Sequence, residues 1–231
     1  MSILQGIRSA RERIDAALQA AGRTDDIELQ LAVKTRSPQD CYAAALALEQ
    51  LGLPVLLGHN RVQEATATLA EIRRCNAARI HLIGPLQSNK INHAIRCVDA
   101  IDTIDRIDLI DRLDARLNTA LPVLVQVNVS AEATKSGVAP AQALRFVDAI
   151  MDSAHLRFDG YMTVGLNSPE EKPVRTAYSV LRKLRDNTAE RIGVDPTSLT
   201  LSMGMSGDLE WAIAEGATRV RLGTAIFGAR H

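Results

Sequence analysis

The stretch IELQLAVKTRSPQD, residues 27–40, ends an apolar run on Lys34 and turns at once through Thr35, Arg36, Ser37 and Pro38. Two readings of that lysine are open. A surface strand end commonly carries lysine, its stem lying along apolar neighbours while the ammonium stays in water. A desolvated lysine amine is instead a nucleophile that forms a Schiff base with a carbonyl. Far along the chain, SMGMSGD, residues 202–208, places two glycines and two serines just before a helical pattern. Glycine lets backbone N–H groups approach an anion closely, and serine adds a hydroxyl donor. RLGT, residues 221–224, repeats the arrangement one apolar run later. Either stretch alone is equally well a capped turn. The two on consecutive strands read as a phosphate cradle.

These groups need a frame that brings residue 34 beside residues 202–224. The first segment is an amphipathic helix with Ile3, Ile7, Ile14 and Leu18 near helical spacing. Short apolar runs then recur: LQLAVK, PVLLG, RIHLIG, VDAIDTI, VLVQVNV, FDGYMTV, LTLSMG and RVRLGT. Helical stretches separate them, the weakest being PLQSNKINHAIRC between the third and fourth runs. Several runs are apolar throughout, as strands covered on both faces must be. About eight strand-then-helix units predict an α/β fold, a (β/α)₈ barrel of TIM type with an extra N-terminal helix. A doubly wound open sheet is the alternative. No linker interrupts the alternation, so residues 1–231 are expected to form one domain. GLNSPEEKP, residues 165–173, is expected to be a loop at the C-terminal rim.

In such a barrel the chemistry collects at the C-terminal ends of the strands. That rule picks out Lys34, then His59, Asn60, Gln63 and Glu64, then Gln87 to Lys90. Asn128, Ser130, Glu132, Lys135 and Ser136 follow the fifth strand, and Met162 and Thr163 the sixth. Strands one and eight are neighbours in a closed barrel, so the cradle lies within reach of Lys34. A lysine, a phosphate cradle and an interior Arg221 together describe a site for pyridoxal 5′-phosphate (PLP): aldehyde to the lysine, phosphate to the cradle, ring between.

Composition narrows the alternatives. Charged residues make up 23% of the chain, and 27 basic side chains balance 27 acidic ones. That leaves no basic field for nucleic acid or an anionic membrane. Cys41, Cys75 and Cys97 are odd in number and widely spaced, which is neither a disulfide framework nor a zinc site. The N-terminus carries charges throughout and is not a signal peptide, and no apolar run spans a bilayer. The cytoplasm is the expected compartment. His81, inside the third strand, reads as a hydrogen-bonded core histidine, and the scattered His93, His155 and His231 share no metal spacing. DTIDRIDLIDRLDARL places its aspartates on the polar face of a helix and its entry, where they serve solvation.

The motifs LAVKT, GHNRVQEA, HLIGPLQSNK, VLVQVNVSAEATKSG, GYMTVG, LSMGMSGDLEWAI and RVRLGTAIFGAR span nearly the whole chain in order. In them the sequence resembles the pyridoxal phosphate homeostasis proteins, which share the barrel of the alanine racemase N-terminal domain. The resemblance implies that Lys34 is the Schiff-base lysine. It implies that Ser202, Ser206, Gly223 and Thr224 take the phosphate, and that Arg221 faces the pyridine nitrogen. Asn60 and Met203 are counted with them as cofactor-binding residues. The chain departs from the family at His59, where a glutamate is usual, and at Pro85, where a histidine is usual.

Three functions follow as expectations. One is a carrier that holds PLP reversibly, buffers its aldehyde and passes it to apo-enzymes, acting as a monomer. Another is an amino-acid racemase, which needs a second acid/base opposite the lysine. Alanine racemases take that tyrosine from an additional domain, and this chain runs only to His231. Of its own tyrosines, Tyr42 and Tyr178 fall on outer helices and Tyr161 inside the sixth strand, so the carrier is favoured. The third is a phosphosugar enzyme using Lys34 as an aldolase lysine, which would need acid/base partners at the rim. Lys135, in a glycine-bearing rim loop, is a candidate for assisting cofactor exchange.

Overall fold

The computed structural model describes residues 2–130, 132 and 135–228. His231, and Ala229 and Arg230 of the last motif, lie outside the described residues, as do Ala131, Ala133 and Thr134 of the fifth-strand loop. Helix α1 (Ile3–Ala20) comes first, its start fixed by a reciprocal bond pair between Ser2 and Gln5. Its buried stripe is Ile7, Ala10, Ile14, Ala17 and Leu18. The order continues β1 (Glu28–Ala32), α2 (Pro38–Gln50), β2 (Leu56–His59), α3 (Val62–Ile72), β3 (Arg79–Leu82), α4 (Ile91–Cys97), β4 (Ala100–Ile104) and α5 (Ile107–Asp114). Then come β5 (Leu121–Gln126), α6 (Ala143–Met151), β6 (Leu156–Met162), α7 (Glu171–Ile192), β7 (Thr200–Ser202), α8 (Leu209–Ala214), β8 (Arg219–Leu222) and α9 (Thr224–Phe227).

The eight strands close into one barrel in chain order, every pair parallel. The barrel reading of the alternation is therefore correct, and the open sheet is excluded. Closure pairs β1 with β8 in the register Glu28↔Arg219 and Gln30↔Arg221. Side chains alternate along a strand, so one parity faces the helices and the other the barrel axis. In β1 the helix-facing set is Leu29 and Leu31, both buried in the core between barrel and helices. The axial set is Glu28, Gln30 and Ala32. Gln30 reaches across the barrel to Asp102 of β4, Nε2 to Oδ2 at 3.2 Å.

Two sequence expectations change. Helix α7 begins at Glu171, so Pro173 stands in its first turn, where a missing N–H goes unnoticed. The rim loop is correspondingly shorter than residues 165–173. Asp102 is not a solvating residue at a helix entry. It lies in β4, 1% exposed, with Oδ1 2.9 Å from His81 Nδ1 and Oδ2 3.6 Å from an Arg219 guanidinium nitrogen. The aspartate–leucine periodicity of the segment belongs only to α5, one strand-to-helix turn later. His81 is the hydrogen-bonded interior histidine its place in the third strand suggests. The three cysteines are buried and unpaired, and burial pushes the Cys41 thiol up to about 12. Among the described residues no helix is long and apolar enough to cross a membrane, and no cluster could hold a metal ion.

Candidate functional site

Strand β1 stops at Ala32, and Lys34 stands in the turn beyond it. The parity set by Glu28 and Gln30 runs on through Ala32 to Lys34 and Arg36, and all three of the latter line one cavity of about 370 Å³. Strand β8 does the same with Arg221 and Gly223. Thr35, between the two cations, has φ 61°, the only positive φ at a non-glycine among the described residues. A β-branched residue in that region carries about 1 kcal/mol of strain. The strain sits directly beside the lysine, in the turn that carries its side chain past the strand end.

Six of the eight residues expected to bind a cofactor border this cavity: Lys34, Asn60, Ser206, Arg221, Gly223 and Thr224. Ser202 and Met203 do not. Both are fully buried. Ser202 Oγ and its own carbonyl each accept from Arg221 Nη1 at 2.7 Å, while Nη2 donates to the Thr163 carbonyl at 2.7 Å. Ser202 thus holds the arginine rather than facing the open space. Burial lowers the Arg221 pKa from the ordinary arginine value, while the negative charge of Asp102 and Asp208 acts in the opposite direction.

Sequence reasoning missed Arg36, and it named Met205 and Gly207 only within the stretch SMGMSGD; all three line the cavity. Arg36 lies over the Phe227 ring, 5.0 Å from its centroid, with Nη2 3.4 Å from the Gly228 carbonyl oxygen. Its signal was present in the parity: it stands two residues past Lys34. The lining has three cations, Lys34, Arg36 and Arg221, and no carboxylate among the described residues. Ile83, Met162, Val164 and Met205 supply apolar walls.

The loop joining β7 to α8 is braced from outside the cavity. Met205 N donates to Asp208 Oδ1 at 2.6 Å, and Tyr178 Oη on α7 donates to Asp208 Oδ2 at 2.7 Å. Arg13 on α1 donates to the Ser206 carbonyl at 3.1 Å and pairs with Glu210 at 2.8 Å. Gly204, at φ 96°, lets the loop pass against α8, where a Cβ would stand 2.6 Å from that of Ala212.

None of the three tyrosines lines the cavity. Tyr161 and Tyr178 are fully buried, the first bonded to Thr188 Oγ1 at 2.7 Å and the second to Asp208. His59 is fully buried too, its Nε2 3.0 Å from Thr68 Oγ1, and burial pulls its pKa down to about 4. Lys135 is tied into the rim, donating to Glu132 Oε1 at 2.7 Å and to the Gly165 carbonyl at 2.8 Å.

Residues 39–231 match the family described as alanine racemase, N-terminal domain. The chain is 37% identical to the pyridoxal phosphate homeostasis protein of Vibrio cholerae and 38% identical to that of Pseudomonas aeruginosa. Each alignment covers 99% of this chain, with 97% of the first relative and 96% of the second. Among solved structures, PipY of Synechococcus elongatus with PLP bound superposes with a TM-score of 0.80 at 26% identity. That superposition covers 98% of this chain and 100% of the other. The chain belongs to the family of pyridoxal phosphate homeostasis proteins.

Proposed function

We propose that this protein binds PLP in the Lys34 cavity and serves intracellular PLP homeostasis as a carrier that buffers the reactive aldehyde. The carrying observation is the lining: three cations, no carboxylate, and a lysine at the strand end facing the Ser206–Gly207 and Gly223–Thr224 backbone across one space. Those residues fit a dianionic phosphate attached to an aldehyde. A Cβ on Gly207 would meet no protein atom within 4 Å, so the loop leaves room beside its own backbone. When bound, PLP supplies an aldehyde that captures amines and a ring that withdraws electrons from what is captured.

In this reading Lys34 holds the aldehyde, and Ser206, Gly207, Gly223 and Thr224 take the phosphate through N–H and hydroxyl donors. Asn60 and Met162 bound the ring, while Ser202 and Met203 contribute from below by fixing Arg221 and the loop. Arg221, held by two carbonyls and a hydroxyl, presents a fixed positive charge to the cavity. That charge disfavours a proton on any nitrogen placed against it. A racemase needs a second acid/base across from the lysine. Among the described residues the lining offers no tyrosine, histidine or carboxylate for that role. Holding, rather than turning over, is the better match. The same reading has the protein acting in the cytoplasm as a monomer and passing PLP to apo-enzymes.

Borohydride treatment of the PLP-loaded protein followed by peptide mass mapping tests this. The label is expected on Lys34 and is expected to vanish in Lys34→Ala, whose circular dichroism stays that of the folded barrel. A label on another lysine would move the site. Rapid interconversion of L- and D-alanine would replace the carrier with a racemase.

A further inference from the structure

Helix α1 precedes the strand–helix alternation and is not one of its units, yet it meets both of the segments proposed to take the phosphate. Gly6 packs on α9, where an added Cβ would stand 2.9 Å from the Ile226 carbonyl oxygen and 3.0 Å from the Ile226 Cα. Arg13 reaches the loop between β7 and α8, its Nη2 donating to the Ser206 carbonyl oxygen at 3.1 Å. Its Nε and Nη2 also donate to Glu210 Oε1 on α8, at 3.0 and 2.8 Å. Gly6 and Arg13 are about two helical turns apart, so they share one face of α1 and lie about 10 Å from each other along its axis. One face of one helix thus spans the two loops.

Both contacts act on backbone. The Ser206–Gly207 peptide is trans, so its N–H points opposite to its C=O. With the carbonyl taken by Arg13, the Gly207 N–H faces away from α1, and it donates to no protein atom among the described residues. Ser206 and Gly207 line the Lys34 cavity and Arg13 does not. At the other loop, Ile226 N and Phe227 N each donate to the Gly223 carbonyl oxygen at 3.0 Å. Ile226, seated against Gly6, therefore helps to set where Gly223 and Thr224 stand in the cavity wall.

We propose that Gly6 and Arg13 are positioning residues through which α1 holds the two phosphate loops in register, so that a helix outside the barrel decides how well the protein distinguishes PLP from unphosphorylated pyridoxal. The inference rests on the reading of the Lys34 cavity as a PLP site. Neither residue touches the ligand. Arg13 orients the Ser206–Gly207 peptide, and Gly6 lets α1 lie close enough to fix α9. Two loops tied to one helix move together, so their donors keep the spacing of a single phosphate and need little ordering when it arrives.

The experiment titrates the full-length protein and its variants with PLP and with pyridoxal, which has the aldehyde and no phosphate, following absorbance. Each ligand is compared with itself across the variants. Arg13→Ala is expected to raise the PLP half-saturation concentration about fivefold or more, with that of pyridoxal staying within about twofold. Gly6→Ala is expected to act in the same direction, because its methyl meets backbone and α9 has to give way. Arg13→Lys keeps one charged donor and is expected to recover part of the PLP affinity. Circular dichroism follows the fold, and the part-exposed Arg13 carries the test if Gly6→Ala is unstable. Equal weakening of PLP and pyridoxal would assign both residues to stability alone and overturn the inference, as would a PLP preference that survives intact in the variants. Wild-type protein that binds PLP no tighter than pyridoxal, or takes no borohydride label on Lys34, would instead sink the reading of the cavity, and the role of α1 with it.

Discussion

Tyr178 Oη on α7 donates to Asp208 Oδ2 at 2.7 Å, and the other oxygen of the same carboxylate accepts from Met205 N at 2.6 Å. A carboxylate beside a loop proposed to take a phosphate is an electrostatic liability unless its lone pairs are occupied. Here the tyrosine and the loop's own amide occupy them, and the loop is held in one shape. Burial first, then the Asp208 charge, raise the phenol's pKa well beyond the usual tyrosine range, so it remains a donor at every physiological pH.

Removing that donor is the first prediction. Tyr178→Phe keeps the ring's packing but leaves one oxygen of the half-buried Asp208 carboxylate short of a partner, a loss of about 1 kcal/mol. PLP affinity is expected to fall roughly fivefold or more, equivalent to about 1 kcal/mol. Urea unfolding and a fluorescence titration with PLP measure the two effects. Unchanged affinity in a destabilised protein would mean the tyrosine serves packing alone.

The barrel was legible in the alternation of eight apolar runs with helices, and the placement of Lys34 in its position at the end of the first run. Parity along the strands agrees with both. Glu28, Gln30, Ala32, Lys34 and Arg36 share one face of a period-two pattern, as do Arg219, Arg221 and Gly223, and the chain order of strands puts the two faces side by side. What parity along one strand does not contain is which interior residues meet across the axis. That depends on the stagger of all eight strands, so the Gln30–Asp102–His81–Arg219 cluster was invisible and Asp102 was misread as a surface residue. Tyr178 was missed for another reason. It falls in the inward stripe of helix α7 with Val174, Ala177 and Leu181, where spacing alone reads as packing and does not show that the hydroxyl meets Asp208.

Asp102 gives a pH-dependent prediction. Burial raises its pKa, but the nearby His81 and Arg219 charges and the Gln30 amide more than offset this, and the carboxyl sits at about 2. A folded value below the unfolded one, about 3.9, means the contribution is complete above that unfolded value and is lost as pH falls toward about 2. Asp102→Asn at neutral pH takes the carboxylate charge from His81 and from the far arm of Arg219, which keeps its pair with Glu28 at 2.7 Å, and is expected to cost about 1–3 kcal/mol. By about pH 3 the gap between wild type and variant is expected to narrow by about 1 kcal/mol. A gap that stays constant between neutral pH and about pH 3 would show that the carboxylate's charge is not what matters.

His59 predicts a separate acid sensitivity at higher pH. Burial holds its imidazole neutral, with a pKa of about 4 against about 6.5 in the unfolded chain. The unfolded state therefore binds the extra proton between those values, and stability present above about pH 6.5 drains away toward about pH 4. Integrated from about pH 7.5 to about pH 5, the loss is about 2 kcal/mol. His59→Gln can still bond Thr68 but does not titrate, so its urea midpoint is expected to move less over this range. Parallel pH curves for the two proteins would rule out the histidine as the source.

Two glycines near the cavity separate fold from binding. A Cβ on Gly84 would lie 2.2 Å from the Asn60 carbonyl oxygen, and the Gly84 carbonyl is held from the other side by Thr103 Oγ1 at 2.8 Å. Relief must come from moving Asn60, so Gly84→Ala is expected to cost about 1–3 kcal/mol and to disturb a residue that lines the Lys34 cavity. Gly207 presents the opposite case. Its Cβ would meet nothing within 4 Å, and its φ is not one that side chains avoid. Gly207→Ala is therefore expected to leave stability within about 0.5 kcal/mol of wild type. The added methyl stands on a residue lining the Lys34 cavity, at the turn proposed to take the phosphate, so PLP affinity is expected to drop in this variant while the unfolding midpoint holds. If Gly207→Ala binds PLP as wild type does, the phosphate does not rest on that turn.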